Sequence, residues 1–156
     1  MALITLADVE KRIGAVNFVR LCDDDGDGIA DPATVAEILE EATHIGEGIL
    51  LRAFARSTIA KLAASDVALR GAICDIAIGL AGRRRPELLG PNGNAYTEMR
   101  KEGERVLSNM TRAEQRIAAE EQQGVNGTIG GAISAQLPVK HVFARSRTNP
   151  RGSGGF

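Results

Sequence analysis

Tryptophan is absent from this chain, and one tyrosine and four phenylalanines are its whole aromatic content. A core built without them rests on Leu, Ile, Val and Ala, which suits close-packed helices better than a β-sandwich. Cysteine is scarce as well. Cys22 and Cys74 stand apart in apolar surroundings, with nothing pointing to secretion, so they read as reduced core residues rather than a disulfide. Net charge is close to nil, with 19 basic residues against 20 acidic ones. Such a balance exerts no global pull towards nucleic acid or an anionic membrane. No apolar run approaches the ~20 residues that span a bilayer. Met1 to Leu6 lack the basic start and long apolar stretch of a signal peptide. The expectation is a protein present in the cytoplasm when made, with no membrane partner.

A catalytic constellation is also missing. The two histidines, His44 and His141, lie in different regions, and no Ser–His–Asp or Cys–His set suggests itself. The glycine-rich stretch Gly124 to Gly131 lacks the lysine and the strand–helix context of a phosphate loop, and reads as a linker. The chain is therefore expected not to be an enzyme and to require no cofactor.

What is present is helix. Thr5 is an N-cap with Asp8 three residues on, and Gly14 stops the short helix that follows. Ala15 to Leu21 forms a second short helix, burying Val16, Val19 and Phe18. Asp31-Pro32 opens a long helix, with Asp31 expected to accept the orphan N–H groups and Pro32 at the first helical position. Its apolar positions Val35, Ile38, Leu39, Ala42, Ile45, Ile49 and Leu50 share one face. Glu37, Glu40, Glu41, His44 and Glu47 fall mostly on the other. Ser65-Asp66 caps a helix running to about Ala81 that is apolar on nearly every side, which marks it as the central element. Arg70 and Asp75 interrupt it and imply exposed or paired positions. After a loop from Pro86 to Asn94, Tyr96, Met99, Gly103, Val106, Leu107 and Met110 share a face of a further helix. Ala113 and Ile117 extend that stripe towards Gln122, with a break near Thr111 as the alternative. The fold class is thus all-α: a small bundle of about four main helices.

Two domains of unlike composition follow. Residues 1–122 form a helical body. Residues 123–156 form a glycine-rich basic arm, extended and flexible, with no Asp or Glu after Glu121. Lys140, His141, Val142, Phe143, Arg145, Arg147, Arg151 and Phe156 mix cations with apolar side chains, as in segments that order on a partner. Thr128 to Leu137 and Val139 to Phe143 form short strands only against such a partner.

The sharpest chemical feature is the acidic run from Asp23 to Asp31. Asp23, Asp25 and Asp27 alternate, Gly28 supplies a sharp turn, and Asp31 falls at the ninth position of an EF-hand-like calcium loop. The twelfth position is Thr34 rather than a bidentate Glu, and Ile29 comes one place early. A solvated turn ahead of the helix is the other reading. Crowded carboxylates repel, so either a cation or full solvation is needed. Arg83-Arg84-Arg85 suits a helix C-terminus, where the dipole favours cations, or a phosphate contact. No aromatics interleave with it, so base stacking is unsupported.

The order of these features resembles a small helical family from the head-morphogenesis region of Mu-like phages and prophages. It is similar in plan to the head–tail connector (adaptor) proteins of long-tailed phages. The resemblance covers residues 2–117 and is most specific over Leu21 to Ala36, at Asp25-Gly26-Asp27-Gly28 followed by Asp31. It implies a non-enzymatic ring under the portal of the virion neck, matching the portal's twelve-fold symmetry. It further implies an arm that grips the portal or a neighbouring copy, a tail-side neck or stopper protein as the next partner, and DNA passing through without specific binding. Glu37, Glu40, Glu41 and Glu47 are then candidates for a channel lining or an inter-subunit face. Two other classes stand beside this reading. One is a Ca²⁺-binding interaction module at Asp23, Asp25, Asp27 and Asp31. The other is a small nucleic-acid binder using Arg83 to Arg85 and the arm.

Overall fold

A computed structural model of the protein describes residues 2–86 and 93–127. Among the described residues there are six helices and no strand: α1 (Leu6–Ile13), α2 (Ala15–Cys22), α3 (Pro32–Leu50), α4 (Arg56–Ser65), α5 (Val67–Arg84) and α6 (Gly93–Gly127). The class is all-α as expected, with more helices than the expected four. No helix among these residues is long and apolar enough to cross a membrane.

The first turns follow their local chemistry. The Thr5 hydroxyl accepts the Asp8 N–H at 3.3 Å, and the Asp8 carboxylate accepts the Thr5 N–H at 2.9 Å, a reciprocal capping box. Gly14 ends α1 at φ 90°, a conformation that costs an L side chain but not glycine. The chain turns there, and α2 buries Phe18, Leu21 and Cys22. Val16, expected inside, is 74 % exposed, because this turn aims the opposite face of α2 at the core.

The long helix α3 buries Val35, Ile38, Ala42 and Leu50, with Leu39, Ile45 and Ile49 half-buried beside them. The unexpected element is α4. It buries only Ile59 and Ala63, too few apolar anchors to announce a helix in sequence. Asp66 then caps α5, its carboxylate accepting the N–H groups of Ala68 and Leu69 at 2.8 and 3.1 Å.

The centre of the fold is α5. Every residue from Ala72 to Gly82 is buried, as expected of a helix apolar on nearly all sides. The antiparallel helix α6 crosses it at glycine positions. A Cβ on Gly79 would stand 2.4 Å from Arg100 Cβ, and one on Gly82 2.7 Å from the Tyr96 ring. From the other side, a Cβ on Gly103 would stand 2.4 Å from the Ala72 carbonyl oxygen. The two backbones therefore touch where these side chains are absent. Gly46 of α3 completes the layer against Ile73 and Leu107.

Thr111 does not break α6. Its buried hydroxyl donates to the Leu107 carbonyl at 2.9 Å, one turn back in the same helix, and lies 3.3 Å from the Ile49 carbonyl. Beyond it the helix outruns the body. Residues 115–122 are exposed, Ile117 is 52 % exposed, and the last tether is Gln115 donating to the Arg52 carbonyl at 3.1 Å. The stripe expected to continue through Ala113 and Ile117 thus finds nothing to cover it. The helix also runs to Gly127, past the body boundary expected at 122.

Gly103→Ala should destabilise the protein by about 1–3 kcal/mol or more in urea unfolding, because the added methyl meets backbone. Gly48→Ala, where nothing lies within 4 Å, should instead stabilise it by roughly 0.5–1 kcal/mol.

Candidate functional site

The acidic loop between α2 and α3 folds on its own carboxylates. Asp23 accepts the N–H of Gly26 at 2.6 Å and of Gly28 at 2.9 Å. Asp25 accepts the Asp27 N–H, and Asp27 accepts the Ile29 N–H, at 3.1 and 2.7 Å. Gly26 and Gly28 take positive φ, 81° and 85°, which lets so short a loop turn twice. One carboxylate oxygen from each of Asp23, Asp25 and Asp27 lies within 4.8 Å of the others.

Asp31 is not in that group, contrary to its expected ninth-position role. Nor does its side chain cap α3. Its carboxylate accepts the Asp24 N–H at 2.7 Å and closes the base of the loop. Thr34, at the twelfth position, is buried and donates its hydroxyl to Asp24 at 2.7 Å. Three clustered carboxylates supply only part of the six to eight oxygens that Ca²⁺ takes. Both oxygens of Asp23 already hold backbone N–H groups. The donor set fits a partly hydrated cation and not a complete EF-hand cage.

Asp24, absent from the sequence-based site, proves to be the anchor. Arg84 at the end of α5 donates to it at 3.1 Å and also to Glu37 at 3.1 Å. Arg85 sits 3.3 Å from the other Asp24 oxygen and donates to the Asp23 carbonyl. Two of the three consecutive arginines are thus engaged in holding the loop on the end of α5. The signal was visible as a basic run and an acidic run, but the sequence did not say that they meet.

The α3 carboxylates do not share one environment. Glu37 is tied to Arg84 while remaining 69 % exposed, and Glu40 is 73 % exposed, 4.0 Å from His44. Glu41 is exposed. Glu47 departs from the expected open face: its side chain is only 12 % exposed and sits 3.8 Å from Arg56. Arg56 is the first residue of α4, so the pair lies at the α3–α4 corner. A second ion pair lies elsewhere, with Arg12 of α1 gripping the nearly buried Asp75 of α5 through two bonds of 2.5 and 2.6 Å. Asp75 was expected to be exposed or paired; it is buried and paired, and its partner comes from 63 residues away. The arm residues Lys140, His141, Val142, Phe143, Arg145, Arg147, Arg151 and Phe156, and the short strands expected there, lie outside the described residues.

No family model, curated protein or solved structure matches the chain.

The Thr34 hydroxyl holds the Asp24 carboxyl below its usual 3.8, with Arg84 and Arg85 adding to the effect. Thr5 does the same for Asp8. Each folded pKa lies below the unfolded one. The stabilisation is therefore full above the unfolded value near 3.8 and is lost as pH falls through the folded value. Asp24→Asn should lower stability at neutral pH and flatten its decline below about pH 4, where the wild-type curve falls; urea midpoints across pH 2–7 check both. Burial pushes the Cys22 thiol up to about 11 and Cys74 up to about 12. Neither should react with a disulfide reagent at pH 8 in the folded protein, and both should react in denaturant.

Proposed function

We propose that the chain is a head-to-tail adaptor of a tailed phage, a non-enzymatic subunit of a ring under the portal in the virion neck, assembled in the host cytoplasm. The observation that carries the reading is the Leu21–Ala36 segment. It holds the Asp-Gly-Asp-Gly turn and the Asp31-Pro32 start of a long helix, the part of the sequence most specific to the resemblance. The layout of the body is compatible with that role. Two polar anchors hold a compact bundle, and α6 projects beyond it towards the arm. The arm docks on the portal or on a neighbouring copy, a tail-side stopper protein follows, and DNA threads the ring without specific contacts. Glu37, Glu40 and Glu41 remain the open acidic positions of α3 for a channel lining or an inter-subunit face. Glu47 leaves that set because its side chain is largely buried, beside Arg56.

Mixing the protein with its cognate portal tests this. Negative-stain images should show an added ring with the full chain and a bare portal with a chain truncated after Gln123. Bare portals in both cases overturn the proposal.

One observation favours a second reading. The Asp23, Asp25 and Asp27 carboxylates converge within 4.8 Å, which supports a Ca²⁺-binding interaction module. Calorimetric titration with Ca²⁺ should then give heat that Asp25→Asn abolishes. Absence of heat in the wild-type protein removes this reading.

A further inference from the structure

A groove of about 360 Å³ runs along the middle of α3. Buried Ile4 and Thr43 and half-buried Leu39 form its floor, and exposed Ala36, Glu40 and His44 its rim. Ile4 and Thr43 are buried at 2 % and 4 % exposure, so the floor is held by the core. Its size is at the small end for clefts that seat ligands, and its lining is mainly apolar, as such clefts require. The rim is acidic. Glu40 lies 4.0 Å from His44, and Glu41, just outside the lining, stands exposed beside it on the helix.

The sequence holds a segment of matching chemistry. After Glu121 the chain has no acid at all, and its last part joins Val139, Val142 and Phe143 to Lys140, Arg145 and Arg147. We infer that the groove seats residues 139–147 from a second copy of the chain. Phe143 and its valines enter the apolar floor, and the cations lie over Glu40 and Glu41. An aromatic anchor in an apolar pocket, with charge pairs at the rim, is how short segments gain both affinity and orientation.

The direction of α6 decides between the chain's own groove and a neighbour's. Near the body α6 runs alongside α3 in the same sense, with Gly46 beside Leu107, Ile49 beside Thr111 and Arg52 beside Gln115. It then continues to Gly127, carrying the chain beyond the C-terminal end of α3. The groove lies back along α3, between Ala36 and His44. The return path along the helix axis is about 36 Å at the usual rise per residue. Residues 128–142 cover that only when stretched over most of their length. A neighbouring copy needs no such reversal, and arm-into-groove contacts are heterologous, the kind that closes rings. The inference rests on the proposed exchange of arms between neighbours and names the surface that receives them.

Disulfide trapping on the full-length chain tests it, since the buried Cys22 and Cys74 thiols stay out of the reaction. The Ala36→Cys/Val142→Cys chain, oxidised alone, should give an inter-chain ladder on non-reducing gels. The rate should exceed that of Val67→Cys/Val142→Cys by at least about tenfold, because a seated arm raises the local thiol concentration. Val67 is 72 % exposed and outside the groove lining. Adding Glu40→Lys and Glu41→Lys should slow the ladder. An intra-chain disulfide, or equal rates at the two positions, overturns the inference. The two proposals fail separately. Portal rings without a ladder leave the adaptor reading and remove the groove, whereas a ladder without portal rings does the reverse.

Discussion

The contact between α5 and α6 governs the rest of the fold. Gly79, Gly82 and Gly103 let the two backbones approach until a methyl would collide with a carbonyl oxygen or a neighbouring Cβ. That approach covers one side of α5. The remaining sides are then closed by α1 and α2, by α3 through Gly46 and Ile73, and by α4. A helix apolar all round is insoluble by itself, so each of these layers exists to cover it. Native packing density leaves no slack at such a crossing, and added volume there is felt by the whole bundle.

Two polar anchors give this apolar assembly its registration. Arg12 reaches from α1 to Asp75, a carboxylate nearly buried in the middle of α5. Such a charge is tolerable in the interior only with a partner, so the position of α1 is specified as well as favoured. Arg84 and Arg85 do the same at the far end, where they hold Asp24 and the Asp23 carbonyl. The loop is consequently fastened at its base by Asp31 and at its shoulder by α5. Its outer carboxylates, Asp25 and Asp27, stay in solvent.

The surface left over is unevenly furnished. The end of α6 is polar and projects from the body. The middle of α3 carries a largely apolar groove with Glu40 at its rim. A basic, partly apolar segment follows α6 in sequence. A body with one receiving face and one outgoing segment is suited to association between copies, which is the common thread between the proposed adaptor role and the proposed seat of the arm.

Much of the fold was legible from local rules. The capping box at Thr5 and Asp8, the stop at Gly14, the cap at Asp66 and the apolar face of α3 all depend on neighbours within about a turn or two of helix. The central position of α5 followed from its composition alone. The helix α4 was not legible, because two buried residues make no periodic signal. The exposure of Val16 was not legible either, since an apolar residue can face outwards when a turn rotates its helix.

At the candidate site, the residue types were readable but their partners were not. The sequence determined that Asp23, Asp25 and Asp27 alternate around glycines, which was enough to bring their carboxylates together in a short loop. Tertiary structure alone decided that Asp31 serves the Asp24 N–H and that Asp24 serves Arg84 and Arg85. It also decided that Glu47 leaves the open acidic face and that Asp75 belongs to Arg12. The reason is separation along the chain: local hydrogen bonds are set by spacing, whereas a partner 60 residues away is chosen by how helices pack.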